Sequence, residues 1–187
     1  VPLFLQAVTG TSATRAGFVL TPFVLGWVAL SVASARLVLR IGYRTVVLAG
    51  MLCLTVAFVL FTRWGPALTP RQAMRDVLLA GVGMGLNMVP MLIAVQSAVG
   101  RGDLGIATSM TQFFRTVGGA VGVSVMGTVM ARGLQAGLPM AGALHEVFAV
   151  GLGVCLVALL AAFLVPAGSA RELARADVGG EATRVGG

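Results

Sequence analysis

The sequence predicts an all-α polytopic membrane protein, and two features of its composition point to that class. Of its 187 residues, 58% are hydrophobic and 10% are charged, whereas a soluble domain carries about a quarter charged residues. The apolar runs are rich in Gly, Ala and Val and lack the alternating pattern of a barrel strand. Helices are therefore the predicted spanning elements, and the lipid bilayer is the expected surrounding.

Five complete spans are expected, because a helix needs about 20 apolar residues to cross a bilayer. They cover residues 16–38, 45–62, 76–99, 107–130 and 144–165. Residues 1–7 are interpreted as the outer end of a truncated helix, and residues 167–187, which lack hydrophobic periodicity, as a disordered cytoplasmic tail.

The formal charge of +7 comes from arginines that lie between the apolar runs. Basic residues in such loops orient the spans in the membrane, so nucleic acid is not an expected partner. The first loop carries Arg36, Arg40 and Arg44 around Gly42. The positive-inside rule places this loop in the cytoplasm, and counting spans places the tail on the same side.

The third predicted span carries small, polar and soft side chains. Gly81 and Gly85 form a small-xxx-small pair that favours close packing with another helix. Asn87 and Gln96 are uncharged polar groups at membrane depth. Met84, Met88 and Met91 admit two interpretations, ordinary packing or contact with a substrate.

The fourth predicted span contains Arg115. A guanidinium in hydrocarbon costs from roughly 3 to more than 10 kcal/mol, so it is expected to face protein or water. One helical stripe unites this arginine with small and polar neighbours: Thr108, Thr111, Gly118 and Gly122. Either Arg115 lines a central path, or it is permanently paired with carbonyls or with a carboxylate of another helix.

The candidate sites follow from these two spans. The candidates for a substrate path are Arg115, Gln112, Asn87, Gln96 and Met88, and the candidates for helix packing are Gly81, Gly85, Gly118 and Gly122. The chain is not expected to be an enzyme, because its six carboxylates fall at span ends, in loops or in the tail and do not converge. No metal-binding spacing of Cys or His is present, and no cofactor is predicted.

An ordered set of short motifs carries a resemblance to a known family. The set comprises residues 2–6, Gly10, Ala16–Gly17, Thr21–Pro22, Gly26, residues 36–44, Gly81–Gly85, residues 105–109, Phe114–Arg115 and residues 118–122. In this order it resembles the major facilitator superfamily, and most closely the 14-spanner drug:proton antiporters of the Emr/Qac type. Arg36, Arg40, Gly42 and Arg44 resemble the superfamily's cytoplasmic signature loop, although Leu39 stands where the fuller motif has Asp.

The resemblance implies the C-terminal six-helix half of such a carrier, located in a bacterial inner membrane. It implies alternating access against a missing N-terminal half, with a small amphipathic substrate bound between the halves. It also implies that a proton gradient drives multidrug efflux, with the coupling carboxylate outside this chain. Export of an endogenous metabolite and a truncated, non-transporting interaction module remain as alternatives.

Overall fold

A computed structural model describes residues 17–65 and 68–164 of the chain. The predicted outer helix end at residues 1–7 and the predicted tail at residues 167–187 lie outside the described residues, as do the first motifs of the family resemblance. The described residues form five long helices and a short 3-10 helix, Arg101–Asp103. The long helices are α1 Thr21–Ile41, α2 Tyr43–Thr62, α3 Pro70–Ser97, α4 Leu104–Gln135 and α5 Met140–Phe163.

All five long helices are long and apolar enough to cross a membrane. The described residues contain no strand, and the predicted class of an all-α polytopic membrane protein is confirmed. We call the end of the bundle near the α1–α2 connection the Arg44 end, and the end near the α2–α3 connection the Trp64 end.

The helix α3 begins at Pro70, six residues before the start of the predicted span, because its polar first turn is also helical. The Thr69 side chain accepts a hydrogen bond from the backbone N–H of Gln72 at 3.3 Å. In return, Oε1 of Gln72 accepts from the backbone N–H of Thr69 at 3.0 Å. This capping box satisfies two N–H groups of the helix terminus, and Pro70 needs no partner because it has no backbone N–H.

The helix α3 packs between α1 and α2, and glycines permit its close approach to both neighbours. A Cβ built at Gly85 would lie 2.6 Å from the carbonyl oxygen of Trp27 in α1. Gly81 lies still more tightly against the backbone of Phe23. On the α2 side, a Cβ at Gly83 would lie 2.8 Å from the carbonyl oxygen of Gly50. Both predicted packing glycines of this span therefore face α1.

Two buried clusters hold the bundle together. At the Trp64 end, Phe61 and Trp64 pack edge to face with ring centroids 4.8 Å apart, and Phe148 of α5 lies 5.6 Å from Phe61. The second cluster joins α1, α2 and α3 through Val38, Val46 and Leu86. Edge-to-face aromatic pairs add about 0.5–1.5 kcal/mol to the stabilisation from burial, so the first cluster ties α5 firmly to the α2–α3 connection.

The helix α4 is the least covered of the five. It contacts α5 and, less extensively, α3, with Gly133 close to Ala143 of α5. A Cβ at Gly118 or Gly122 would meet no atom of the described chain within 4 Å. The packing partner predicted for these two glycines is thus not among the described residues, and their role stays a prediction.

Candidate functional site

The helices α2 to α5 surround a cavity of about 570 Å³. Most of its lining is apolar and comes from α2, α3 and α5: Val47, Met51, Leu54, Met84, Met88, Met91, Leu92, Ala158, Ala161 and Ala162. Five polar side chains complete it: Asn87, Thr108, Thr111, Gln112 and Arg115. A cavity of this size, mainly apolar with a few polar groups, has the properties of a small-molecule site.

Four of the five candidates for a substrate path line this cavity. Arg115, Gln112, Asn87 and Met88 do so directly. The fifth, Gln96, lies toward the Arg44 end, where its Nε2 donates to Oγ1 of Thr108 at 3.1 Å. This bond fastens the last turn of α3 to the second turn of α4, and so positions one polar member of the lining.

Arg115 is the cationic member of the lining. It lies eleven residues into α4, about 16 Å along the helix axis at 1.5 Å per residue. Its guanidinium makes no hydrogen bond or ion pair with any residue in the described ranges 17–65 and 68–164. Within the described chain the arginine therefore presents its donors to the cavity, while the alternative of a permanent partner would require a residue from outside it.

A hydrogen bond within α3 holds the Asn87 side chain, and a glycine of α2 leaves the space that this side chain occupies. Its Nδ2 donates to the backbone carbonyl of Gly83 at 2.8 Å, and the side chain is 9% exposed. A Cβ at Gly50 in α2 would collide with this Nδ2. Gly50 thus makes the room for Asn87, a relationship that the sequence analysis missed because the two residues lie on different helices.

Three methionines of α3 and Met51 of α2 form much of the apolar wall. Met88 and Met91 are 37% and 45% exposed, so they are not ordinary core residues of the described bundle. Their side chains are flexible and polarisable, which suits contact with ligands of different shapes. The structure places Met84, Met88 and Met91 on the cavity together.

The basic loop between α1 and α2 is built around a backbone conformation that only glycine adopts readily. Gly42 has φ +81° and ψ 157°. After this turn, Nη2 of Arg44 donates to the backbone carbonyl of Phe163 at the end of α5 at 3.1 Å. A cation is favourable at a helix C-terminus. The loop and the end of α5 therefore lie on one side of the bundle, the same side that the span count gave them.

The opposite, Trp64 end carries a buried carboxylate, which corrects an expectation from the sequence. Asp76 had been placed at a span end, but it lies inside α3 and is 4% exposed. Its Oδ2 accepts from the indole Nε1–H of Trp64 at 2.9 Å, and its Oδ1 lies 3.3 Å from Nη2 of Arg75. Nε2 of His145 in α5 donates to the backbone carbonyl of Trp64. The Asp76 carboxylate therefore bonds Trp64 and Arg75 at a position away from the cavity.

A metal-binding group is absent from the part of the chain that the structure describes, since no three His, Cys, Asp or Glu side chains converge there. The described lining of the cavity supplies hydrogen-bonding groups, one positive charge and adaptable apolar contact.

No protein-family model matches the chain, but individual proteins do. It is 34% identical over 130 residues to the multidrug transporter protein MdtP of Bacillus subtilis, covering 70% of this chain and 24% of that protein. It is 38% identical over 133 residues to an uncharacterized MFS-type transporter of Mycobacterium tuberculosis, covering 69% of this chain and 19% of that protein.

A tetracycline resistance determinant of Streptomyces rimosus is 30% identical over 131 residues, covering 70% of this chain and 38% of that protein. The chain thus spans about a fifth to two fifths of the length of these relatives. Their names are those of transporters or of a resistance determinant, and none is named as an enzyme. The prediction of a transport protein of the major facilitator type is confirmed at this level, and the 14-spanner subtype stays a prediction.

Proposed function

We propose, from the premise that this chain belongs to the MFS-type transporters, that it forms part of a permease exporting small amphipathic molecules. The relatives named for multidrug transport and tetracycline resistance support export as the direction. The single observation that carries the proposal is the cavity of about 570 Å³ that α2, α3, α4 and α5 surround. It combines methionine and alanine walls with a few polar side chains, as expected for a site that accepts varied amphipathic ligands.

The polar side chains of the cavity serve orientation rather than chemistry. Gln112 and Arg115 lie on the α4 wall, and the alanines of α5 and the methionines of α3 line the same cavity. A ligand whose apolar body contacts the methionines would place a polar group within reach of α4. Because few hydrogen bonds are demanded, ligands of different shape can occupy the same cavity at modest and similar affinities.

The complete carrier, in our proposal, contains further helices that face α4. The relatives are several times longer than the matched segment, and the Gly118 and Gly122 face of α4 is uncovered in the described chain. Alternating access would arise by rocking of this half against an N-terminal half in the bacterial inner membrane, driven by the proton gradient. The Arg44 end and residues 167–187 would face the cytoplasm.

The decisive experiment replaces Arg115 by Ala and by Lys in the full-length protein expressed in an efflux-deficient host. Tetracycline and an amphipathic dye serve as the two transported probes. We expect at least tenfold slower efflux for Arg115→Ala and an intermediate rate for Arg115→Lys. The matched control is Arg132→Ala, which removes a charge from the same helix outside the cavity lining. Unchanged efflux by Arg115→Ala at equal expression would contradict the proposal.

Two alternatives are separated by the same assays. A carrier for an endogenous metabolite would leave drug efflux at background, while its deletion would raise the internal level of that metabolite. An interaction module would support no export of any compound.

Collapsing the proton gradient with an uncoupler tests the energy source, because a proton-driven carrier should lose efflux at unchanged ATP level.

A further inference from the structure

The charged part of the cavity lining is positive. Arg115 is its only ionic lining residue among the described residues. Arg44 adds a second positive charge near the Arg44 end, where its guanidinium bonds the neutral carbonyl of Phe163 beside the lining residues Ala161 and Ala162. Arg44 does not line the cavity, so Arg115 is the positive charge that a ligand inside it would meet.

The described carboxylates lie away from this space. Asp76 is at the Trp64 end and is already bonded by Trp64 and Arg75. Glu146 lies in α5, twelve residues before the lining residue Ala158, or about 18 Å along the helix. Asp103 precedes α4 at the Arg44 end and does not line the cavity. A bound cation would thus meet a repulsive charge, with no carboxylate in the lining to offset it.

Two side chains of α4 near Arg115 can donate hydrogen bonds to the cavity, whereas the Thr111 hydroxyl already donates to the carbonyl of Ala107. The Thr108 hydroxyl accepts from Gln96, which leaves its own proton for the cavity. The Gln112 side-chain amide makes no hydrogen bond within the described part of the chain, so its two N–H groups are available. Together with the guanidinium, these groups form a cluster of donors along one face of α4. Such a cluster suits a carboxylate or another oxyanion.

We infer that the cavity selects amphipathic anions over cations, with Arg115 binding the anionic group and the methionines of α3 contacting the apolar body. This inference rests on the proposed function, in that the cavity is taken as the binding site of the carrier. It narrows the substrate class to weak organic acids and other amphiphiles that carry an oxyanion. The preference comes from the side chain of Arg115 and is therefore removable by substitution.

Three probes that differ only in their polar end test the preference. They are 1-pyrenebutyrate, 1-pyrenebutanol and 1-pyrenebutylammonium, which are anionic, neutral and cationic at pH 7. Equilibrium dialysis of the full-length protein in lipid nanodiscs measures binding, and empty nanodiscs give the lipid contribution to be subtracted. We expect the butyrate to bind at least tenfold more tightly than the butanol, and the ammonium probe to bind most weakly, because charge-assisted hydrogen bonds are the strong ones.

The variants assign the preference to one side chain. In Arg115→Gln, butyrate affinity should fall to within about twofold of butanol affinity, whereas butanol affinity stays unchanged and shows that the cavity is intact. Arg115→Lys should keep a reduced preference for the anion. Arg132→Gln, which removes a charge from the same helix outside the cavity lining, should leave all three affinities unchanged.

The possible failures are distinguishable. Equal binding of all three probes by the wild type would overturn the anion preference while leaving the cavity as a binding site. A preference that persists in Arg115→Gln would overturn the assignment to this residue. If the folded wild-type protein binds none of the probes, both the preference and the cavity's proposed role are overturned.

Discussion

The indole Nε1–H of Trp64 donates to the Asp76 carboxylate at 2.9 Å, joining the α2–α3 connection to the second turn of α3. Both side chains are buried, at 3% and 4% exposure. His145 extends the same contact to α5 by bonding the Trp64 carbonyl. Trp64 therefore links three helices at a single end of the bundle, through its indole N–H and its backbone carbonyl.

Replacing Asp76 by Ala should destabilise the protein by about 1–3 kcal/mol, because the buried indole N–H loses its acceptor. Asp76→Asn should cost less, since an amide oxygen can still accept from Trp64. The measurement is the unfolding midpoint of the full-length protein in detergent. Asp103→Asn, at an exposed position before α4, is the control. Equal midpoints for Asp76→Ala and wild type would contradict a stabilising role of the Asp76–Trp64 hydrogen bond.

Replacing Gly85 by Ala should lower stability by about 1–3 kcal/mol through overpacking, because the new Cβ would lie 2.6 Å from the Trp27 carbonyl oxygen. The backbone of α1 would have to move to relieve the contact. Gly153→Ala is the matched control, since nothing in the described chain lies within 4 Å of its Cβ position. That control should be neutral or stabilising, because Ala favours a helix over Gly. A Gly85→Ala protein as stable as Gly153→Ala would contradict the close packing.

The bond between Gln96 and Thr108 should contribute about 0.6 kcal/mol of coupling energy, the average from double-mutant cycles of hydrogen bonds between membrane helices. A double-mutant cycle of Gln96→Leu, Thr108→Val and the double variant isolates this term. Unfolding free energies of the four full-length proteins are compared. Additive effects of the two single substitutions would show that the bond contributes nothing to the joining of α3 and α4.

Gly118 and Gly122 give a prediction about what covers α4. In the full-length protein, Gly118→Val and Gly122→Val should each lose stability or efflux, because a helix from outside the described chain packs there. Gly153→Val on α5 again serves as the control. If both α4 variants behave like the control, this face is exposed to lipid and the predicted packing role is wrong.

Much of the fold follows from composition, because a membrane span requires a long apolar run and five such runs are visible in the sequence. The start of α3 was missed although its signal was present, in the capping box of Thr69 and Gln72. Asp76 was missed for another reason. Its partner Trp64 lies twelve residues earlier and across a loop, so only tertiary structure shows that the carboxylate is buried.

The cavity was predictable in part. The helical spacing of Thr108, Thr111 and Arg115 defines one polar face without any tertiary information. The facing wall of α5 could not be found in this way, because Ala158, Ala161 and Ala162 are typical of any membrane helix. The role of Gly50 could not be predicted from the sequence either, because this residue leaves space for a side chain of another helix.

The fastening of α4 has a consequence for ligand size. This helix is joined to α3 by the Gln96–Thr108 bond near its start and to α5 by Gly133 near its end, while its middle is sparsely covered. Among the other walls of the cavity, α2 packs closely against both α3 and α5, whereas α4 is held mainly near its ends. Bending α4 disturbs few contacts. The cavity can therefore widen for a bulkier ligand without repacking of its other walls.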